Sequence, residues 1–548
     1  MSPRQEPSLF QLLDFNGDSL RGATVHESQN TSQNGEGGVM ISPIQGEGRV
    51  MILCFDGTGN KFGAVNSNIV RFFRALQKDD RKKQIVYYQP GIGTYTKRTF
   101  ITHAANTVAS TLDQAVALHL DDHVKEGYQF IVQNYRPGDR ICVFGFSRGA
   151  HTARVVAGMV YKVGVLPKEN IQQVDFAFSI YSTTGYNGYK LSQEFKRTFT
   201  PASAYHQVSV DFVGVWDTVS SVGIIPKVHP YTSVNYAVKK FRHALSLDER
   251  RARFRPNVWS EITLAREHEL DVDIPVTDIP HTGQLNRDDF EYKPPDRDFA
   301  DVKEVWFAGT HADVGGGSHD VKRSSSLSFI PLRWMIKECI LSETGIMFDL
   351  NYLQDDLDFD FDGLLKEIGD ETEKQKRIIQ YVGLKACRDA QVEERNRYHG
   401  TKDAAKDTTH TEDDPRPRLL IQRIGRHARD ILDDIFDQLV IFWYFWWMLE
   451  MIPMLYAYQD FHGNWIRRRM RNFGRGRYIP VYKNKVLVHT SVKERIAEKG
   501  GEKQDGTRAK IRGLFNILLD RFRNRDKYTP RAYNWDYLQE QKVIEYVD

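Results

Sequence analysis

The segment 140–163, RICVFGFSRGAHTARVVAGMVYKV, constrains the fold of this chain more than any other. RICVFGF is an apolar run of strand length, and ARVVAGMVYKV spaces its apolar residues as a helix does. The pentapeptide Gly145-Phe146-Ser147-Arg148-Gly149 joins the two. A serine on so sharp a strand-to-helix turn has a strained backbone, and the residues two before and two after must be small to clear its side chain. Both are glycine here, Gly145 and Gly149. The flanks lift this turn above chance matches and make Ser147 a candidate nucleophile.

Short apolar runs recur at RVMILCF (49–55), QIVYY (84–88), VSVDFVGVW (208–216) and VKEVWFAGT (302–310). Helical stretches lie between them, notably 112–135 and 148–162. This alternation predicts an α/β fold, a mostly parallel sheet with helices on both faces, spanning 49–345. The intervals 163–207 and 221–300 exceed simple crossovers and predict helical cap insertions over the strands' carboxyl ends. Residues 1–48 are rich in Ser, Gln, Asn and Gly without hydrophobic periodicity, and read as a disordered tail. An acidic helical extension (346–398), an exposed linker (399–418) and an aromatic- and arginine-rich region with helical segments (419–548) complete the expected organisation. No repeat at solenoid or propeller period is found.

Charge narrows the function classes. The 75 basic and 72 acidic residues leave a net +3, which argues against a protein built to neutralise nucleic-acid phosphates. Cys54, Cys142, Cys339 and Cys387 lack paired spacing, so neither a disulfide scaffold nor a zinc ribbon is expected. The opening MSPRQEPSLFQLLDF lacks a basic end followed by an apolar run, so no secretory signal is read and a cytoplasmic location is expected.

A serine hydroxyl needs a base to become nucleophilic, and the base needs a carboxylate to hold its tautomer. Asp217 ends VSVDFVGVW, where a loop would lift a carboxylate above the sheet; its bland alternative is a turn aspartate. Asp211 lies inside the strand and fits less well. His311, in GTHADVGGGS after the last predicted strand, completes the order serine, acid, histidine. His243, in FRHALSLDE, is read in a helical stretch and stands as a structural histidine or an alternative base. His151 lies one turn after Ser147 on the same helix and points along it. Oxyanion donors are expected from the N–H of Arg148 and from Gly57 or Thr58 in FDGTGN. Otherwise FDGTGN is a tight turn organised by Asp56, and it is no phosphate-cradling loop.

Together FDGTGN, YYQPGIGT (87–94), GFSRGA, FVGVWDTV (212–219), HALSLDERRARFRP (243–256) and VWFAGTHADVGGG (305–317) resemble the α/β-hydrolase domain of type VI secretion phospholipase effectors of the first lipase family, a domain shared with fungal proteins. The six blocks follow the family's order over about 49–345. The resemblance implies an α/β-hydrolase fold and phospholipase or other carboxylester activity, with Ser147 as nucleophile, Asp217 as acid and His311 as base. Gly59 and Ser318 stand where the family usually has aromatic residues bordering the pocket, so acyl preference does not transfer.

Asp358, Asp360 and Asp362 open like a calcium loop, but position twelve is Gly369 rather than glutamate, and the alternating phenylalanines suggest a short edge strand. His311, Asp313, His319 and Asp320 form a possible metal set that a serine hydrolase does not need. No metal or cofactor is expected. The run LVIFWYFWWML (439–449) is too short for the roughly 20 residues of a spanning helix. It reads as a buried helix or as an interfacial or membrane-embedded hairpin, with Arg467, Arg468, Arg469, Arg471, Arg475 and Arg477 as a basic cluster suited to anionic lipid. The expectation is a serine hydrolase acting on a phospholipid or other lipid ester, with possible peripheral membrane contact through 439–477. Its rivals are a membrane-associated scaffold with an inactive hydrolase domain and a small-ester esterase or acyltransferase.

Overall fold

The computed structural model describes residues 48–58, 60–92, 105–200, 208–219, 229–233, 235–259, 300–318, 325–368, 427–441, 443–459, 465–481, 485–499 and 528–548. The expected tail to 47, the linker 399–418, most of the 221–300 insertion, Gly59, His319, Asp320 and Gly369 lie outside them.

Ten strands are described: β1 (Val50–Phe55), β2 (Gln84–Gln89), β3 (Arg140–Phe146), β4 (Val210–Trp216), β5 (Val238–Ser246), β6 (Asp301–Phe307), β7 (Met454–Gln459), β8 (Trp465–Met470), β9 (Val486–His489) and β10 (Ile544–Val547). Eight form one sheet in the order β10-β9-β6-β5-β4-β3-β1-β2, and its paired strands all run parallel. The other two, β7 and β8, make a separate antiparallel hairpin. The chain runs outward from β1 to β2 and then returns to lay β3 on β1's other side. This is a topological switch point, the place where a parallel sheet opens a crevice at its carboxyl ends.

Among the described residues twelve α-helices accompany the strands: α1 (Asn68–Ala75), α2 (Ala105–Asn134), α3 (Arg148–Val163), α4 (Val174–Ser182), α5 (Gly185–Phe199), α6 (His311–Gly315), α7 (Phe329–Leu341), α8 (Phe361–Ile368), α9 (Gln438–Ile441), α10 (Trp443–Glu450), α11 (Thr490–Lys499) and α12 (Trp535–Glu540). Strand side chains alternate between two cores. Ile52, Cys54, Phe144, Phe212 and Trp216 face one layer with Phe72 of α1 and Trp334 of α7. Met51, Leu53, Val143 and Val213 face the other, with Tyr128 of α2 and Val156 of α3. Burying each such side chain contributes about 1.5–3 kcal/mol. Within the 163–207 insertion, α4 and α5 pack against α3 on this second face.

Two features depart from the sequence reading. FRHALS is not helical but part of β5, a central strand within the stretch expected to form a cap. Its charges have partners: Arg242 pairs with Glu338 and with Asp301, the latter at 2.7 Å, and Lys240 donates to the Ser342 carbonyl at 2.9 Å. The sheet also takes β9 and β10 from beyond residue 345. With them Val486, Val488, Tyr528, Trp535 and Leu538 join the first core.

The aromatic run becomes α9 and α10, followed by the β7–β8 hairpin. Among the described residues no helix is long and apolar enough to cross a membrane. The supposed edge strand near 358–362 is instead the approach to α8, with Phe359 and Phe361 packed edge to face at 5.0 Å between centroids.

Candidate active site

The sequence-predicted nucleophile, acid and base stand at the carboxyl ends of three strands of the sheet, β3, β4 and β6. Ser147 follows β3, Asp217 follows β4, and His311 opens α6 after β6. Ser147 has φ 59° and ψ −121°, a conformation L residues avoid. Its N–H donates to the Trp216 carbonyl at 3.0 Å. The two glycines make the turn possible: a Cβ on Gly145 would lie 2.4 Å from the Gly149 carbonyl oxygen, and one on Gly149 2.3 Å from that of Phe55. Asp217 is also left-handed, with φ 42°, and its N–H donates to the Ala244 carbonyl at 2.7 Å.

The structure brings the three side chains into one hydrogen-bonded line. His311 Nε2 is 2.8 Å from Ser147 Oγ, and His311 Nδ1 is 2.5 Å from Asp217 Oδ2. With its proton on Nδ1, the imidazole donates to the carboxylate and leaves Nε2 to accept from the hydroxyl. Phe146 and Phe254 flank the ring, with centroids 4.7 and 4.8 Å away. Burial lowers the proton affinity of His311 below that of an ordinary histidine, and the pull of Asp217 only partly opposes it. At neutral pH the ring is therefore the uncharged form that can act as a base. Burial would raise Asp217, but Arg477 and His311 outweigh it and hold the carboxyl below the usual range.

The LDERR block, residues 247–251, positions His311. The His311 N–H donates to Glu249 Oε2 at 3.2 Å, and Arg251 grips the same carboxylate at 2.8 Å. Asp248 accepts from the N–H of Gly309 at 2.7 Å and from Tyr528 Oη at 3.0 Å, tying the turn before α6 to the C-terminal region. Asp313, on α6 itself, accepts from the N–H groups of Thr310 and Phe436 at 2.9 and 3.0 Å.

The other candidates are engaged elsewhere. His243 is fully buried, with Nδ1 2.8 Å from Glu304 Oε1 and Nε2 accepting the Thr218 N–H at 3.0 Å. His151 meets His229 at 3.1 Å, and Asp211 accepts the Ile141 N–H at 3.0 Å and pairs with Lys239. In the loop after β1, Asp56 accepts from the N–H of Gly57 at 2.7 Å, Ser67 Oγ at 2.6 Å and Tyr88 Oη at 2.9 Å. Burial still lifts it to about 6. The Gly57 N–H is thus committed to Asp56, whereas Thr58 Oγ1 is buried without a hydrogen-bond partner among the described residues. Arg148 begins α3, where the first N–H groups have no acceptor within the helix and the dipole favours negative charge. Among the described residues no group of three or more His, Cys, Asp or Glu side chains is placed to hold a metal.

Arg477 was expected on a basic surface, but it is 2% exposed, and its guanidinium lies against Asp217. No local signal distinguishes it from its neighbours in RNFGRGR; only the three-dimensional fold separates it from the exposed Arg468, Arg469 and Arg471.

Residues 49–338 match the family model described as the type VI secretion phospholipase effector Tle1-like catalytic domain. The uncharacterized protein YEL023C of Saccharomyces cerevisiae is 28% identical over 606 aligned positions, covering 89% of this chain and 85% of that protein. An uncharacterized protein from Pseudomonas aeruginosa of solved structure is 19% identical, with TM-score 0.29, over 54% of this chain and 46% of that one. The Tle1 effector bound to the VgrG spike of the type 6 secretion system is 17% identical, with TM-score 0.24, over 53% of this chain and 56% of that one. The chain spans about half the length of these two solved proteins.

Proposed function

Because this chain belongs to the Tle1-like phospholipase effector family through its catalytic domain at 49–338, we propose that it is a serine hydrolase cleaving a carboxylester of a phospholipid or related lipid. The observation that supports this reading is the line from Ser147 Oγ through His311 to Asp217, with contacts of 2.8 and 2.5 Å. In the proposed reaction Ser147 attacks the ester carbonyl while His311 Nε2 takes its proton, and Asp217 steadies the imidazolium. The oxyanion forms at the start of α3, facing the Arg148 N–H and the Thr58 end of the FDGTGN loop. His311 then returns the proton to the leaving alcohol, and a water activated by the same nitrogen releases the acid from Ser147.

Labelling with a fluorophosphonate probe tests the nucleophile. Wild type is expected to label and Ser147→Ala not to, and equal labelling of the two would exclude Ser147. A panel of phospholipids, triglycerides and short-chain esters then identifies the substrate class. Turnover of the short esters alone would favour the small-ester reading, and the absence of any turnover the scaffold reading.

A lipid surface is the proposed place of action. Met448, Met451, Ile452 and Phe473 are 59, 47, 45 and 49% exposed, beside the exposed Arg468, Arg469 and Arg471. Trp446 of α10 packs on Phe254, the ring that borders His311. Apolar side chains with cations beside them suit an anionic membrane. Replacing Met448, Met451 and Phe473 with glutamate is expected to weaken flotation with phosphatidylserine vesicles by about tenfold for each side chain lost. Unchanged flotation would sink this docking face.

A further inference from the structure

Arg477 lies beyond the residues that match the family's catalytic domain, yet its side chain ends at the candidate triad. Nη1 donates to Asp217 Oδ1 at 2.6 Å and Nη2 to Oδ2 at 2.9 Å. The fork is itself fixed, since Nη1 also donates to Ser246 Oγ at 2.6 Å and Nε to the Phe254 carbonyl at 3.1 Å. Ser246 completes the cradle by giving its N–H to Asp217 Oδ1 at 2.9 Å and its hydroxyl to Oδ2 at 3.0 Å.

Resting on the hydrolase reading above, we propose that Arg477 is a positioning residue of the triad, its fork fixing the plane of the Asp217 carboxylate toward His311 and offsetting the carboxylate's charge. The C-terminal region then supplies part of the active site. The geometric argument is that a carboxylate meeting only one imidazole N–H can rotate about its Cβ–Cγ bond. Here rotation would break two charge-assisted bonds from Arg477, one on each oxygen, in addition to the two neutral bonds from Ser246. The electrostatic argument concerns the proton that His311 accepts. A bare aspartate would stabilise the imidazolium strongly, whereas an aspartate paired with arginine presents little net charge, and His311 stays an unprotonated base to lower pH. The other charges facing the ring are Glu249 and Arg251, which pair with each other, and Asp313 on the same helix is turned to Thr310 and Phe436.

The full-length protein and its Arg477→Lys and Arg477→Gln variants are compared by the rate of fluorophosphonate labelling across pH, with near-UV circular dichroism reporting the fold. Arg477→Lys keeps the charge but loses the fork; it is expected to label about tenfold more slowly with its acid limb in place. Arg477→Gln is expected to move that limb up by about one pH unit, toward an ordinary histidine. Wild-type rate and limb in either folded variant would overturn the proposal. So would an Arg477→Gln whose rate falls only with its folded fraction while the limb stays put, because that is what a merely structural ion pair gives. If Arg477→Gln does not fold, the labelling rate of Arg477→Lys decides alone. A wild type that labels while its variants match it sinks only the role of Arg477. A wild type that does not label sinks the hydrolase reading, and this proposal falls with it.

Discussion

Replacing His311 with glutamine is expected to leave a folded protein whose ester turnover falls by about 10⁵–10⁶-fold, as removal of the base does when nucleophile and base act as one unit. The fold should survive because Asp217 keeps its bonds to Arg477 and Ser246 when the imidazole is lost. Turnover of a fluorogenic ester, measured beside the thermal melt, checks both halves. A loss of less than about tenfold would mean that His311 is not the base. The wild-type profile carries a second expectation. Since burial depresses the proton affinity of His311, activity should persist below pH 6.5, the ordinary value, before its acid limb falls.

Asp217→Asn is expected to do two kinds of damage where His311→Gln does one. Turnover should fall by about 10⁴-fold, because a neutral amide neither fixes the Nδ1 tautomer nor stabilises the imidazolium. Stability should also drop by about 3–5 kcal/mol, because Arg477 is left as a buried cation without its counter-charge. Chemical denaturation of both variants separates these effects. Equal midpoints for Asp217→Asn and wild type would show that the Asp217–Arg477 pair carries no buried charge. The sign of the pH dependence follows from the depressed carboxyl. Its stabilisation is present above the unfolded value of 3.8 and is lost as the pH falls below it, so Asp217→Asn should lack that part of the acid sensitivity.

How much of this was legible in the sequence depended on whether a residue's surroundings were local. β1, β3, β4 and β6 announced themselves as apolar runs, because strands buried on both faces need such residues throughout. The sharp strand-to-helix turn at Ser147 was legible because Gly145, Ser147 and Gly149 satisfy a constraint that acts within five residues. β5 was not legible. VKKFRHALS carries four basic or imidazole side chains that look incompatible with a central strand until Glu338, Asp301 and Glu304 arrive from distant parts of the chain. The same misreading placed His243 in a helix. Gly57 and Thr58 could not be told apart as candidate oxyanion donors, because it takes the fold to show that the Asp56 carboxylate accepts the Gly57 N–H. Arg477 is the extreme case, paired with a residue 260 positions away and set in a run of arginines of which Arg468, Arg469 and Arg471 face solvent.

Strand β9 pairs with β6 through Val305–Leu487 and Trp306–Val488, and β10 lies outside it. A ribosome therefore delivers the parts of this centre out of order. A nascent chain that has just exposed Ser147, Asp217 and His311 still lacks the cation that neutralises Asp217, the tyrosine that ties down Asp248, and the two strands that extend the sheet past β6. The serine and the histidine are made first, and part of the surroundings that hold them follows only with Arg477, Tyr528 and the outer strands. That schedule is set by where in the message the outer strands are encoded.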